Sequence, residues 1–118
     1  MELTSIMNLG RVSKTVEIVK GFTVTLHTPS YGEQLAIIKE VPKNLNDNPV
    51  LYYHQVQVES LAVVTEKIND KNYTSENRDE LRDIFSNMQY NLLQEIYNAY
   101  LKLVDEQAKI IEELKKKA

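Results

Sequence analysis

Residues 92–114, LLQEIYNAYLKLVDEQAKIIEEL, decide most of the fold because they contain two apolar stripes at helical spacing. Spacings of three, four and seven residues keep each stripe on one face of an α-helix. The first stripe comprises Leu92, Ile96, Ala99, Leu103, Ile110 and Leu114, and the second comprises Leu93, Tyr97, Tyr100, Val104 and Ile111. The pattern predicts an amphipathic helix of about 27 residues, which would be about 40 Å long.

Two stripes on so long a helix need more than one neighbour. A helical region of about 50 residues covers only part of such a length, so we expect part of the helix to pack on another chain. The alternative is an internal bundle in which a helix over residues 50–69 covers it. A strict coiled coil is disfavoured, because Gln107 and Lys109 interrupt the seam.

The preceding helical region is divided by turn-forming residues. Apolar spacing predicts a helix over about 50–69, which Asn69-Asp70-Lys71-Asn72 ends. A further helix contains Leu81, Ile84, Phe85 and Met88. Ser86-Asn87-Met88-Gln89 then repeats a capping pattern, which predicts a kink or a restart of the helix. The other interpretation is one continuous helix with Ser86 on its surface.

The first 49 residues have strand periodicity. Apolar and polar residues alternate in 15–19 and 22–26, and Gly21 between them suits a hairpin turn. An isolated hairpin is marginally stable, so a helix or a third strand is expected on its apolar face, and residues 3–12 are the candidate for such a strand. A short helix is expected to begin at Thr28-Pro29, where Ser30 and Glu33 have capping-box spacing. Leu35, Ile38 and Val41 follow at helical spacing, Pro42 ends this helix, and residues 42–49 form a loop.

The predicted fold class is therefore α+β. A small antiparallel β-hairpin with a short helix occupies residues 1–49, and two to three helices ending in a long amphipathic one occupy residues 50–118. The two regions form either a single compact unit or two subdomains joined by loop 42–49.

Composition excludes several function classes. The 118 residues are 42% hydrophobic, contain no Cys and carry a net charge of −3. A core for one domain is available, but disulfides, thiolate metal sites and cysteine nucleophiles are not. The chain has no basic field for nucleic acid, no secretory signal and no run of about 20 apolar residues, so we expect an intracellular protein that binds neither nucleic acid nor membrane.

Catalytic and cofactor-binding patterns are also missing. His27 and His54 lack a metal-ligand spacing, and His27 is expected to be solvated on the polar face of its strand. The acidic residues of 76–83 alternate with Arg78 and Arg82, which is typical of a solvated helix face. Phosphate-binding and nucleophile motifs are absent, so the chain is predicted to be no enzyme and to need no cofactor or metal.

Tyrosines accompany the second stripe of the long helix, and Tyr52 and Tyr53 precede it in the chain. Tyr combines a large apolar area with a polar tip, which suits protein interfaces, although a helix-bundle rim uses it equally well. The candidate partner-binding residues are Tyr90, Leu93, Tyr97, Tyr100, Val104 and Ile111.

The order of these features resembles a family of small proteins of tailed bacteriophages. The resemblance rests on an ordered set of elements: the hairpin around Gly21, the helix start Thr28-Pro29-x-x-x-Glu33, and a helix that ends at Ile68-Asn69-Asp70. A helix with Leu81-x-x-Ile84 then runs into the segment Leu93-Gln94-Glu95-Ile96-Tyr97-Asn98-Ala99-Tyr100. Over residues 12–104 the chain is similar to tail assembly chaperones and baseplate-hub assembly proteins.

The resemblance implies a non-enzymatic protein that binds other phage tail or baseplate proteins, or a second copy of itself. It would act in the host cytoplasm during assembly or as a structural protein of the virion. The alternative is a small regulatory or inhibitor protein that binds a host protein.

Overall fold

The structure, a computed structural model, describes residues 1–41 and 47–117 and confirms the α+β class with a long C-terminal helix. The elements in chain order are α1 (Leu3–Met7), β1 (Ser13–Val19), β2 (Phe22–His27), α2 (Tyr31–Glu40), α3 (Pro49–Val64), β3 (Thr65–Ile68), β4 (Lys71–Asn72), α4 (Arg78–Ser86) and α5 (Tyr90–Lys116). A 3₁₀ turn, Ser75–Asn77, precedes α4. Residues 42–46 of the predicted loop lie outside the described residues.

The predicted hairpin is confirmed. Strands β1 and β2 are antiparallel, with Val16 opposite Val24. Gly21 has φ +84°, a conformation that residues with a Cβ rarely adopt, and it completes the turn. The register shifts between Glu17 and Val19, so a bulge precedes the turn.

The prediction that residues 3–12 supply the third strand is wrong. Residues Leu3–Met7 form the short helix α1, and the third strand is β3, which lies on the other side of β2 in a sheet of order β1-β2-β3-β4. The predicted helix 50–69 accordingly ends early, at Val64. The β-branched run Val63-Val64-Thr65 favours extended backbone, and Thr65 takes it with ψ 119°.

The predicted capping box of α2 is confirmed, but the helix begins at Tyr31 rather than at Thr28-Pro29, and its buried face also differs from the prediction. Ser30 and Glu33 form a reciprocal capping box. The α2 residue that reaches the core is Ile37, whereas Ile38 is 58% exposed. Because α2 has only ten residues, one large buried side chain suffices to orient it against α3.

The predicted interruption near Ser86 is confirmed as a complete break. Helix α4 ends at Ser86, where the Asn87 side chain donates to the Asp83 carbonyl, and α5 begins at Tyr90. The 27 residues of α5 match the predicted length.

One hydrophobic cluster joins the two regions that the sequence distinguishes. Val24 and Leu26 of β2 are fully buried beside Leu61 of α3, Phe85 of α4 and Ile96 of α5. The sheet thus places one face against the helices, and its other face carries the threonines of β1 and β2, such as Thr15 and Thr25, whose hydroxyls are hydrogen-bonded.

Candidate interaction surface

Helix α5 has a buried half and an exposed half. From its start to Leu103 it contributes five side chains to the core, namely Leu93, Ile96, Tyr97, Tyr100 and Leu103. Between Leu103 and Lys116 no residue of α5 is buried, although both apolar stripes continue. Ile110 is 42% exposed and Leu114 is 37% exposed.

The six candidate partner-binding residues are divided by this arrangement. Leu93, Tyr97 and Tyr100 are buried within the chain itself, and Val104 is partly buried against the core. Tyr90 is exposed at the start of α5, and Ile111 is exposed near its end. A partner that meets the folded chain therefore has access to Tyr90 and Ile111, which lie at opposite ends of the helix.

The tyrosines form a chain of aromatic contacts from the core to the surface. Tyr97 has its ring centroid 5.8 Å from that of Tyr100 and 6.4 Å from that of half-exposed Tyr53. His54 lies 5.9 Å from Tyr90, edge to face. Burial, with a smaller contribution from Tyr97, raises the pKa of Tyr100 to about 12. The inner tyrosines are thus held neutral in an apolar environment, which is a core role.

Helix α1, the residues just after it and the last turns of α5 form an apolar surface, which we call the apolar end surface. It consists of Ile6, Leu9, Ile110, Ile111 and Leu114, and four of these side chains (all but Ile110) line a cleft of about 400 Å³. The segment after α1 approaches α5 so closely that a Cβ at Gly10 would lie 3.2 Å from Ile111 Cγ1.

Gln107 fixes the N-terminal segment to α5. Its Nε2 donates to the Gly10 carbonyl at 3.2 Å and to Thr28 Oγ1 at 2.9 Å. Gln107, which interrupts the apolar seam in the sequence, therefore binds the segment that follows α1. This contact holds α1 beside the end of α5, where α1 extends the exposed apolar stripe.

His27 is buried, so the prediction that it is solvated is wrong. Its Nε2 lies 2.8 Å from Glu33 Oε2, and its Nδ1 lies 3.2 Å from Glu66 Oε1. Arg11 also binds Glu66. These contacts join the end of β2 to the start of α2, to β3 and to the segment before β1. This is a structural polar cluster, and sequence spacing could not reveal it because Glu66 comes from a distant strand.

Two of the four acidic residues of 76–83 take part in ion pairs on the surface of α4. Asp79 pairs with Arg82, and Glu80 pairs with Lys71 of β4. Within residues 1–41 and 47–117, no group of three His, Cys, Asp or Glu side chains is arranged to hold a metal ion.

Glu33 gives the fold a measurable pH dependence. Partial burial opposes its ionisation, but hydrogen bonds from the Ser30 N–H and from His27 outweigh burial and lower the pKa of Glu33. A carboxylate with a lowered pKa stabilises the fold above its unfolded pKa, near 4.5, and loses that contribution as the pH falls through the folded pKa.

We expect Glu33→Gln to be less stable than wild type at pH 7, by under about 1 kcal/mol because the side chain stays 25% exposed, and the difference should shrink at pH 3. Urea unfolding of both proteins at both pH values measures it. Glu17→Gln is the control, since Glu17 has no cationic partner among the described residues. A Glu33→Gln deficit that is equal at both pH values would contradict this assignment.

Comparisons with protein families, with characterised proteins and with solved structures give no match for this chain. In the described part of the chain, no helix has the length and apolar character needed to span a membrane.

Proposed function

We propose that the protein is a non-enzymatic assembly or structural protein of a bacteriophage tail or baseplate, and that it binds other tail proteins through its helical part. The observation that carries the proposal is the apolar end surface. Large apolar side chains gathered on the exposed end of a helix are typical of protein-binding sites.

The geometry of α5 supports this assignment. The part of the helix beyond Leu103 has 13 residues, about 20 Å at 1.5 Å per residue, and none of them is buried. Charged residues surround the apolar stripe, and Lys115 and Lys116 pair with Glu112 and Glu113. An apolar centre with a charged rim is the usual anatomy of an interface.

The resemblance to tail assembly proteins supplies the class of partner. Of the sequence features behind the resemblance, Gly21 forms the hairpin turn, Glu33 belongs to the cap of α2, and Leu93 to Tyr100 lie in α5. The helix expected to end at Ile68-Asn69-Asp70 ends at Val64 instead, and α4 and α5 are separate helices. In this proposal the buried part of α5 orients the helix, and its exposed end contacts the partner.

We expect the double substitution Ile111→Asp/Leu114→Asp to weaken binding to a neighbouring tail protein at least tenfold, about 1.4 kcal/mol, because it places charges in an apolar contact. Co-expression with each tail protein, affinity capture and titration of the purified complex measure the effect. Size-exclusion chromatography of the chain alone tests self-association through the same surface.

Leu101→Asp is the matched control, since Leu101 is 45% exposed on the same helix but lies outside the apolar end surface. Circular dichroism verifies that each variant is folded. The proposal is wrong if no tail protein binds the wild-type chain, or if the double variant and the control bind it equally well.

A further inference from the structure

Strand β1 has an unpaired edge, since the sheet order places it outermost in the described part of the chain. The Val12 carbonyl accepts a hydrogen bond of 2.9 Å from the Thr28 N–H, and the same register continues along β1 as far as Glu17. Because bonded and non-bonded pairs alternate along antiparallel strands, Lys14 and Val16 bond to β2. Backbone N–H and C=O groups therefore point away from β2 at Ser13, Thr15 and Glu17.

A cleft of about 380 Å³ runs between this edge and α5. The α5 residues of the cleft recur at spacings of three and four, so they form one face of the helix: Glu95, Asn98, Ala99, Lys102, Leu103 and Glu106. On the sheet side the lining is residues 14–18 and Leu26. The apolar part of the cleft comprises Val16, Ile18, Leu26, Ala99 and Leu103.

This combination favours an extended polypeptide as the occupant. The free backbone groups of β1 are satisfied by a strand laid alongside, whereas a docked helix uses its own backbone groups internally. Since side chains alternate along a strand, every second residue of the occupant would enter the cleft between β1 and α5, and the others would face solvent.

The charges of the lining refine the chemistry of the occupant. Lys14 pairs with Glu106 at 3.3 Å. Glu17 lies on the strand face of Thr15, away from the helices, so Glu95 is the carboxylate of the cleft that has no cationic partner among residues 1–41 and 47–117. Lys102, which is also unpaired there, lies seven residues further along α5. The free charge of Glu95 favours an occupant with a basic side chain at that end of the cleft.

We propose that an extended segment of another protein, with apolar side chains at alternate positions and at least one Lys or Arg, adds to β1 as a fifth strand. This site is separate from the apolar end surface and does not depend on the function proposed for it. The two surfaces share no residue.

The test is selection of a displayed library of random ten-residue peptides on the full chain. Enriched peptides should alternate apolar and polar residues and contain Lys or Arg. A synthetic copy of one should slow amide exchange at Ser13, Thr15 and Glu17 at least tenfold, with little change at Lys14 and Val16, which already bond to β2. Two N-methylated peptides should then differ, one methylated at its odd-numbered residues and the other at its even-numbered residues. Only the peptide whose methyl groups block the amides that face β1 should lose binding.

Charge reversal at Glu95 tests the specificity. We expect Glu95→Lys to lower the affinity for the Lys-containing peptide about threefold to tenfold. The same variant should raise the affinity for that peptide when its Lys is replaced by Glu. The control is Asp83→Lys, an exposed helical carboxylate outside the cleft. The proposal is overturned if no peptide is enriched, if protection maps to other residues, if both variants behave alike, or if dimerisation of the chain itself occupies the β1 edge.

Discussion

Replacement of Arg82 by Met is expected to lower the free energy of unfolding by about 3–5 kcal/mol. The cause is Glu59, which is 1% exposed in the middle of α3. Arg82 binds it with two hydrogen bonds, from Nε to Oε1 at 2.6 Å and from Nη2 to Oε2 at 3.0 Å. The variant leaves a carboxylate buried without its cation, and removal of one partner of a buried pair costs more than removal of both.

Neighbouring carboxylates hold the Arg82 guanidinium charged and in place against Glu59. Hydrogen bonding to Glu59 is the largest contribution that raises the pKa of Arg82, and Asp79 and Glu40 add to it. Arg82 therefore links α4 to α3 through Glu59 and to α2 through Glu40, and it also pairs with Asp79 of its own helix. Its planar fork matches a carboxylate with two parallel bonds, which a lysine could not reproduce.

The double variant Glu59→Leu/Arg82→Met separates this explanation from a general loss of packing. With both charges gone, we expect most of the lost stability to return, because apolar side chains of similar volume replace buried pairs well. Asp105→Asn, which removes an exposed pair with Lys109, should change stability by at most about 0.5 kcal/mol. Urea unfolding measures all three. A loss under about 1 kcal/mol for Arg82→Met would refute the assigned role.

Local patterns in the sequence predicted the elements whose causes are local. The alternation around Gly21, the Ser30–Glu33 cap and the period of α5 each act within a few residues, and the structure contains all three. Strand β3 is not predicted because its one apolar residue, Ile68, lies four residues after Val64 and so continues the apolar spacing of α3. Its conformation is decided by pairing with β2, which lies about 40 residues earlier in the chain.

The same distinction explains which site features the sequence could not supply. Helix α1 has five residues and no side-chain N-cap, so it carries no helix signal of its own. Its position depends on Gln107, almost 100 residues away. The burial of His27 likewise depends on Glu66. Long-range polar contacts of this kind leave no spacing pattern, and only the fold brings their members together.

The same substitution at two isoleucines of α5 should lower stability by very different amounts. Ile96 is fully buried, and Ile96→Ala should lower the free energy of unfolding by about 2–5 kcal/mol through lost burial and a residual cavity. Ile110 is 42% exposed, and Ile110→Ala should lower it by under about 1 kcal/mol. Urea unfolding of the two variants measures the contrast on one helix with identical chemistry.

For binding affinity the order is reversed, because Ile110→Ala should have the larger effect and Ile96→Ala the smaller one. If the exposed end of α5 contacts a tail protein, Ile110→Ala weakens that complex although the chain itself stays nearly as stable as wild type. The reason is that the Ile110 side chain belongs to the apolar end surface. Ile96→Ala leaves the affinity of the folded fraction unchanged, because its side chain is covered by the core of its own chain. Equal losses of stability at both positions would mean that another part of the chain covers the end of α5 in solution, and the apolar end surface would then be a piece of the core.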